Sequence, residues 1–176
     1  LGESALDASV SGGNNTAIGK EAMTTLTSGT SNIAVGKGSL ELNTTGSSNS
    51  ALGHSSLKNN TTADNNTAVG KSALQQNTTG TQNVAVGALA LDANTTASNL
   101  TAVGYNALSA NTTGTENTGI GRQALLTNST GAYNVALGVN ALYQNTTANY
   151  NTAVGTSALA ANTTGTRNVA FGALAL

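Results

Sequence analysis

The chain has 176 residues, of which 7% are charged and 3% aromatic, with a formal net charge of −1 and no cysteine. This composition excludes a disulfide framework and a thiolate metal site, and so few basic residues cannot track a phosphate backbone. No apolar run approaches the ~20 residues that a membrane-spanning helix needs. We therefore expect no nucleic-acid partner and no membrane contact within this segment.

A glycine recurs every seventeen residues from Gly2 to Gly172. Two successive copies are NTAVGKSALQQNTTGTQ, residues 66–82, and NVAVGALALDANTTASN, residues 83–99. Such a fixed period predicts a repeat architecture, and aliphatic residues held in phase argue against disorder. Because the chain begins and stops within a copy, we expect residues 1–176 to be a single repetitive segment of a longer fibrous chain.

Each copy predicts one short strand followed by turns. The strand covers the NTAV stretch, where β-branched and small residues alternate. The recurring glycine then turns the chain, and a second short segment around Ala-Leu leads to an Asn-Thr-Thr-Gly turn. The fold class is therefore all-β, a parallel β-solenoid or β-roll of about ten coils stacked ~4.8 Å apart. The predicted turn glycines include Gly36, Gly53, Gly70, Gly87, Gly104 and Gly121.

Stacking brings equivalent residues of successive copies into contact, so each repeat position becomes a column along the rod. Two apolar columns predict the core, one just before the glycine and one four residues after it. The predicted core residues are Val35, Val69, Val86, Val103 and Ile120 in the first column and Leu57, Leu74, Leu91, Leu108 and Leu125 in the second. The Asn that opens each Asn-Thr-Thr turn predicts a ladder of stacked amides. Its members include Asn77, Asn94, Asn111, Asn128 and Asn145.

Two alanine columns predict a contact between chains. Side chains alternate along a strand, so a valine in the core places the preceding alanine outside. That position nevertheless holds only Ala or Gly, and the position before the leucine holds only Ala or Ser. A second surface packed against them would explain the restriction in size. The predicted oligomer face comprises Ala68, Ala85 and Ala102 from one column and Ala73, Ala90 and Ala107 from the other.

Copies such as NNTAIGKEA, residues 14–22, and NTAVGKSAL, residues 66–74, resemble the head repeats of YadA-type trimeric autotransporter adhesins. They are equally similar to repeats in the trimeric tail fibres of phages. The resemblance extends over the whole chain and implies a left-handed roll, three chains side by side, and attachment to surfaces. The copies are longer than adhesin-head repeats, mostly in the Asn-Thr-Thr-Gly turn, and no binding residue carries over.

These observations predict a structural fibre or filament segment for extracellular attachment, as an adhesin head, a phage tail fibre or a secreted filament. The expected location is extracellular, on a cell surface or on a virion. The expected partners are further copies, in a homotrimer or filament, and a host-surface, matrix or glycan receptor. Enzyme activity, a metal and a cofactor are not predicted, because His54 is the only histidine and the seven carboxylates are scattered.

The alternative is a monomeric β-solenoid that binds ice through threonine arrays. Threonines lie two apart at Thr79 and Thr81, at Thr113 and Thr115, and at Thr164 and Thr166. Asp64, Ala132 and Asn149 interrupt the second position of this pair in other copies. The Asn-Thr-Thr motif is also an N-glycosylation sequon, for which the amide ladder is the competing explanation.

Overall fold

Within the part of the chain that the structure describes, ten short parallel strands, one in each copy from Asn15 onward, stack in chain order into a β-solenoid. The computed structural model describes residues 2–8 and 10–176, and no helix occurs among them. The strands are β1 Thr16–Ile18, β2 Ile33–Val35, β3 Ser50–Leu52, β4 Thr67–Val69, β5 Val84–Val86, β6 Thr101–Val103, β7 Thr118–Ile120, β8 Val135–Leu137, β9 Thr152–Val154 and β10 Val169–Phe171. The predicted all-β solenoid with a seventeen-residue coil is thus confirmed.

The register pairs every strand residue with its equivalent one coil away, as Thr67 with Val84 and Ala68 with Ala85. The second short segment predicted around Ala-Leu forms turns. Backbone hydrogen bonds still connect the coils there, since the N–H of Leu74 donates to the carbonyl of Ala90 at 3.0 Å. Coils are therefore joined around their circumference and not only along the sheet.

The recurring glycine is required for two reasons: its backbone conformation and the closeness of the backbone of the next coil. Gly70 has a φ of 132°, a region that L side chains rarely adopt. A Cβ built there would lie 2.6 Å from the carbonyl oxygen of Gly87 in the next coil. The coil thus makes its sharp turn where the backbone of the next coil leaves no room for a side chain.

The leucine column forms the centre of the core, as predicted. Leu57, Leu74, Leu91, Leu108 and Leu125 are completely buried. Each of these leucines has a positive φ near 50°, a strained conformation for a branched side chain. Their burial offsets a strain that recurs in every coil.

The valine column was predicted to lie in the core, and this prediction is wrong. Val35, Val69, Val86 and Val103 are only partly buried, and Ile120 is 36% exposed. The inner residue of each strand is instead the alanine before it, and Ala68, Ala85 and Ala102 are completely buried within their own chain. The alternation was correctly identified, but the two sides of the strand were exchanged.

The width of the coil explains this exchange. Gly119 occupies the inner position of β7, and a Cβ built on it would lie 3.3 Å from the Cγ of Leu108. A methyl group at this position therefore already meets the leucine column across the coil. Larger aliphatic side chains fit only on the outer side of the strand, because interiors are close-packed.

Two columns of asparagine amides complete the interior. The turn Asn column, which opens each Asn-Thr-Thr turn, forms the predicted ladder: Asn94 Nδ2 donates to Asn77 Oδ1 at 2.9 Å. A second set, the strand Asn column, precedes the strands and was not predicted. Its asparagines bind the backbone of the next coil, as where Asn66 N–H donates to Asn49 Oδ1 at 3.0 Å. Its sequence signal was an Asn just before nearly every strand, broken only at Leu100.

Candidate interaction surfaces

The outer side of the sheet is the main unpartnered surface of the chain. We call it the outward face; it consists of the first and third residues of each strand. The third residue is aliphatic in β1 to β9 and Phe171 in β10, and none of the twenty positions carries a charge. Ile18 and Leu52 are each 49% exposed on this face. Large aliphatic side chains therefore meet solvent along the whole sheet.

The predicted oligomer face does not exist as a surface. Ala73, Ala90 and Ala107 are completely buried, like the strand alanines Ala68, Ala85 and Ala102. These two columns are restricted to small residues because they pack inside their own chain. The confinement inferred from the sequence is real, but the leucine column supplies it instead of a second chain.

The Asn-Thr-Thr turns carry two threonine columns with different roles. The first threonine is bound within the rod, as where Thr78 Oγ1 donates to the carbonyl of Thr95 at 3.0 Å. The second threonine, which we call the outer Thr column, is exposed, and no hydrogen bond of its hydroxyl occurs within the described residues. Its members are Thr45, Thr62, Thr79, Thr96, Thr113, Thr130, Thr147 and Thr164, without interruption.

The position two residues after the outer Thr column has a structural task. Ser98 Oγ accepts a hydrogen bond from Thr81 N–H at 2.9 Å, and Asn149 Oδ1 accepts one from Ala132 N–H at 2.7 Å. Asp64 does the same for Ser47 at 2.6 Å. The alternative interpretation of the sequence used this position as the second row of paired threonines, but it joins coils through serine, aspartate and asparagine side chains.

An aromatic ladder lies near the C-terminal end. The rings of Tyr133 and Tyr150 stack with centroids 5.0 Å apart and planes 5° from parallel, and the Arg167 guanidinium lies 5.6 Å from the Tyr150 centroid on a neighbouring coil. Tyr133 and Tyr150 are each 51% exposed. Because stacking occupies ring faces, the pair offers mainly edges and hydroxyls to a ligand, which is unlike a platform for sugar rings.

Titratable groups do not converge. Among the described residues there is no cluster of three or more His, Asp or Glu side chains and no cavity. His54 is exposed on a coil between those of Lys37 and Lys71. Burial raises the pKa of the Asp92 carboxyl, and the N–H groups of Asp92 and Ala93 partly oppose this effect. Within the same residues, no helix is long and apolar enough to cross a membrane.

Comparison with profiles of protein families, with curated proteins and with solved structures gave no match to this chain.

Proposed function

We propose that this chain is a structural fibre segment that supports attachment outside the cell, on a cell surface or a virion, and that it associates side by side with further copies of itself. The outward face carries the proposal, because seven of the ten strands present an exposed aliphatic or aromatic side chain there and β4, β6 and β9 present a partly exposed valine. The stacked coils give the chain length and a regular surface, which are the properties that a fibre needs.

The size of the outward face supports association. Ten strands span nine spacings, about 43 Å at ~4.8 Å each. Two side-chain columns make a strip ~10 Å wide, or roughly 430 Å². Monomeric proteins rarely expose contiguous apolar patches larger than a few hundred Å². A standard interface buries about 800 Å² per partner, so the columns flanking the strip must also contribute.

The chemistry of the outward face favours another copy as the occupant. It has no charge to attract a charged partner, and its periodicity is matched only by a surface with the same coil spacing. Side-by-side rods satisfy this condition along their full length. A homotrimer, as the adhesin and tail-fibre resemblance implies, encloses three such faces around one axis. The variable exposed positions outside this face are then left to contact a host-surface, matrix or glycan receptor.

Light scattering after gel filtration tests this proposal. We expect the mass of three chains or of a larger filament for the unaltered protein. The double variant Val86→Lys with Val103→Lys puts two charges on the outward face and should give the mass of one chain with an unchanged circular dichroism spectrum. The matched control, Thr96→Lys with Thr113→Lys on the outer Thr column, should keep the assembled mass. A single-chain mass for the unaltered protein, or an assembled mass for the Val86 and Val103 variant, would contradict the proposal.

A second candidate function is ice binding, and the outer Thr column favours it. Eight successive threonines offer a hydroxyl and a methyl group at each coil, with a spacing of ~4.8 Å set by the sheet. From the turn asparagine to the position two residues after the outer threonine, Asp64 is the only charged residue in any copy. This surface is neutral and regular, in contrast to the interrupted threonine pairs considered first.

Inhibition of ice recrystallisation tests the second candidate. The unaltered protein should inhibit crystal growth at micromolar concentration, and Thr96→Lys with Thr113→Lys should lose at least tenfold in potency. Gln82→Lys with Asn99→Lys adds the same charge at exposed positions outside the outer Thr column and should change little. Crystal growth equal to that in buffer, or equal potency of both double variants, would exclude ice binding.

A further inference from the structure

The N-glycosylation sequon Asn-x-Ser/Thr occurs twelve times in the chain, at three repeat positions that differ in accessibility. Eight of these asparagines form the turn Asn column: Asn43, Asn60, Asn77, Asn94, Asn111, Asn128, Asn145 and Asn162. Three lie at the last repeat position, immediately before the strand Asn column: Asn14, Asn65 and Asn99. The remaining one is Asn59, beside Asn60.

The turn Asn column is closed to modification in the folded rod. Seven of its eight asparagines are completely buried, and Asn162 in the last coil is half-buried. The amide of Asn94 shows why burial is so complete: Nδ2 donates to Asn77 Oδ1 at 2.9 Å and to the carbonyl of Ala97 at 3.0 Å. Both amide hydrogens are used, so a sugar on this nitrogen would replace one of them, remove its hydrogen bond and push the coils apart.

The sequons at the last repeat position are open. Asn14 and Asn65 are exposed, and no side-chain hydrogen bond of either occurs within the described residues. Asn99 is also exposed, and its Nδ2 donates to Glu116 Oε1 at 2.9 Å on the surface. Asn59 differs from these three, since it is half-buried and its Nδ2 donates to Gln76 Oε1 at 2.7 Å.

We propose that Asn14, Asn65 and Asn99 are acceptor sites for an N-linked sugar transferred from a nucleotide-activated hexose, and that the turn Asn column stays unmodified. In the transfer, Nδ2 forms a bond to C1 of the hexose while the bond from C1 to the phosphate oxygen breaks. The nucleoside diphosphate leaves with the electron pair, and the amide loses one proton. This assignment is independent of the fibre proposal, because it rests only on burial within one chain.

The turn Asn column also fixes an order of events. A sugar added to Asn94 before folding would prevent the amide ladder from closing, because the ladder has no room for a substituent on Nδ2. Folding must therefore come first and transfer second. The chain is consequently suited to a compartment where newly made chains fold before a glycosyltransferase acts on them.

The adjoining sequons of one coil allow a sharp test. The folded protein and a synthetic peptide of residues 83–104 are each incubated with a soluble asparagine glycosyltransferase and a nucleotide-activated hexose. Modified asparagines are then located by peptide mass spectrometry. We expect the unfolded peptide to carry hexose at both Asn94 and Asn99. The folded protein should carry it at Asn14, Asn65 and Asn99, with modification of Asn94 at least a hundredfold lower.

Two variants distinguish the loss of a modification site from a loss of stability. Asn99→Gln should remove one hexose from the folded protein and leave its melting temperature unchanged. Asn94→Gln should leave the hexose at Asn99 in place and lower the melting temperature, because the amide of Asn94 belongs to the ladder and the amide of Asn99 does not. Hexose on Asn94 of the folded protein would overturn the assignment. So would an unmodified Asn99 in the folded protein when the peptide is modified there.

Discussion

The inner and outer surfaces of the sheet tolerate different residues, although neighbouring residues of the same short strands form them. The inner position holds alanine in every strand except β7, which has Gly119, and the outer positions hold larger residues such as Ile18, Leu52 and Phe171. In most globular sheets the larger aliphatic residues mark the inside. In this narrow coil size decides instead, because the leucine column already fills the interior up to the strand's methyl groups.

The largest expected effect comes from placing a polar group in the interior. Leu91→Asn removes a completely buried side chain and buries an amide with no partner. The lost leucine burial costs roughly 2 kcal/mol, and the amide buried without a partner costs about 2–7 kcal/mol more. We expect the variant to lose its cooperative thermal melt. Tyr105→Ser, at a position 51% exposed, should melt within a few degrees of the unaltered protein. Similar melting curves for the two variants would disprove the assignment of the leucine column.

The next effect compares the two sides of one strand directly. Ala85→Leu adds three carbons to the inner surface, where overpacking costs about 1–3 kcal/mol or more. Val86→Leu adds one carbon to the outer surface, where Leu52 and Leu137 already occupy the same column. Urea unfolding should show a lower midpoint for Ala85→Leu and an unchanged midpoint for Val86→Leu. A lower midpoint for Val86→Leu than for Ala85→Leu would show that the valine column, and not the alanine column, lies in the core.

A smaller effect tests the break in the strand Asn column. Leu100 has no oxygen to accept the N–H of Asn117, although the corresponding N–H of Asn83 is bound by Asn66. Leu100→Asn adds up to three hydrogen bonds, at about 1 kcal/mol each. These outweigh roughly 2 kcal/mol of lost leucine burial. Calorimetry should show a higher melting temperature, whereas the converse variant Asn66→Leu should melt lower. A fall in melting temperature for Leu100→Asn would mean that the leucine packs better than the amide.

The smallest effect concerns the half-buried carboxyl of Asp92, in the turn segment that follows Leu91. Burial raises the folded-state pKa of Asp92 above its unfolded value, so the folded chain holds this proton more tightly. Stability is therefore lost as the pH rises from the unfolded pKa, ~3.9, through the folded pKa. Asp92→Asn should raise the melting temperature slightly at pH 7 and have no such benefit at pH 3. Equal shifts at both pH values would show that the charge of Asp92 is not involved.

The sequence correctly predicted the features that follow from the seventeen-residue period alone. Identical residues one coil apart must touch in a stacked rod, so Leu91 and Asn94 could be assigned to columns without knowing the path of the chain. The side of the strand could not be derived in the same way, because alternation permits two arrangements that differ by one residue. Choosing between Ala85 and Val86 required the distance across the coil, which depends on the packing of Leu108 and its equivalents.

The interaction surfaces were harder to predict for a related reason. The outward face can be identified only after it is known which side of the strand faces the core. Because Val86 was assigned to the core, the predicted contact between chains was placed at Ala85 and Ala90. The strand Asn column was visible as a recurrent residue, but its role depends on backbone N–H groups of the next coil. Threonine spacing was equally ambiguous, since the sequence does not distinguish Thr78, whose hydroxyl is bound, from Thr79, whose hydroxyl faces solvent.

The repeated bonding between coils has a consequence for how the rod can change in length. Each coil contacts its neighbours through the same register and the same amide ladder. A gene that gains or loses the codons of one complete repeat would therefore yield a rod longer or shorter by ~4.8 Å with every remaining junction intact. A gain or loss of any other size would misalign all the columns on one side of the change. Recombination between repeats can thus adjust the length of the rod in fixed steps.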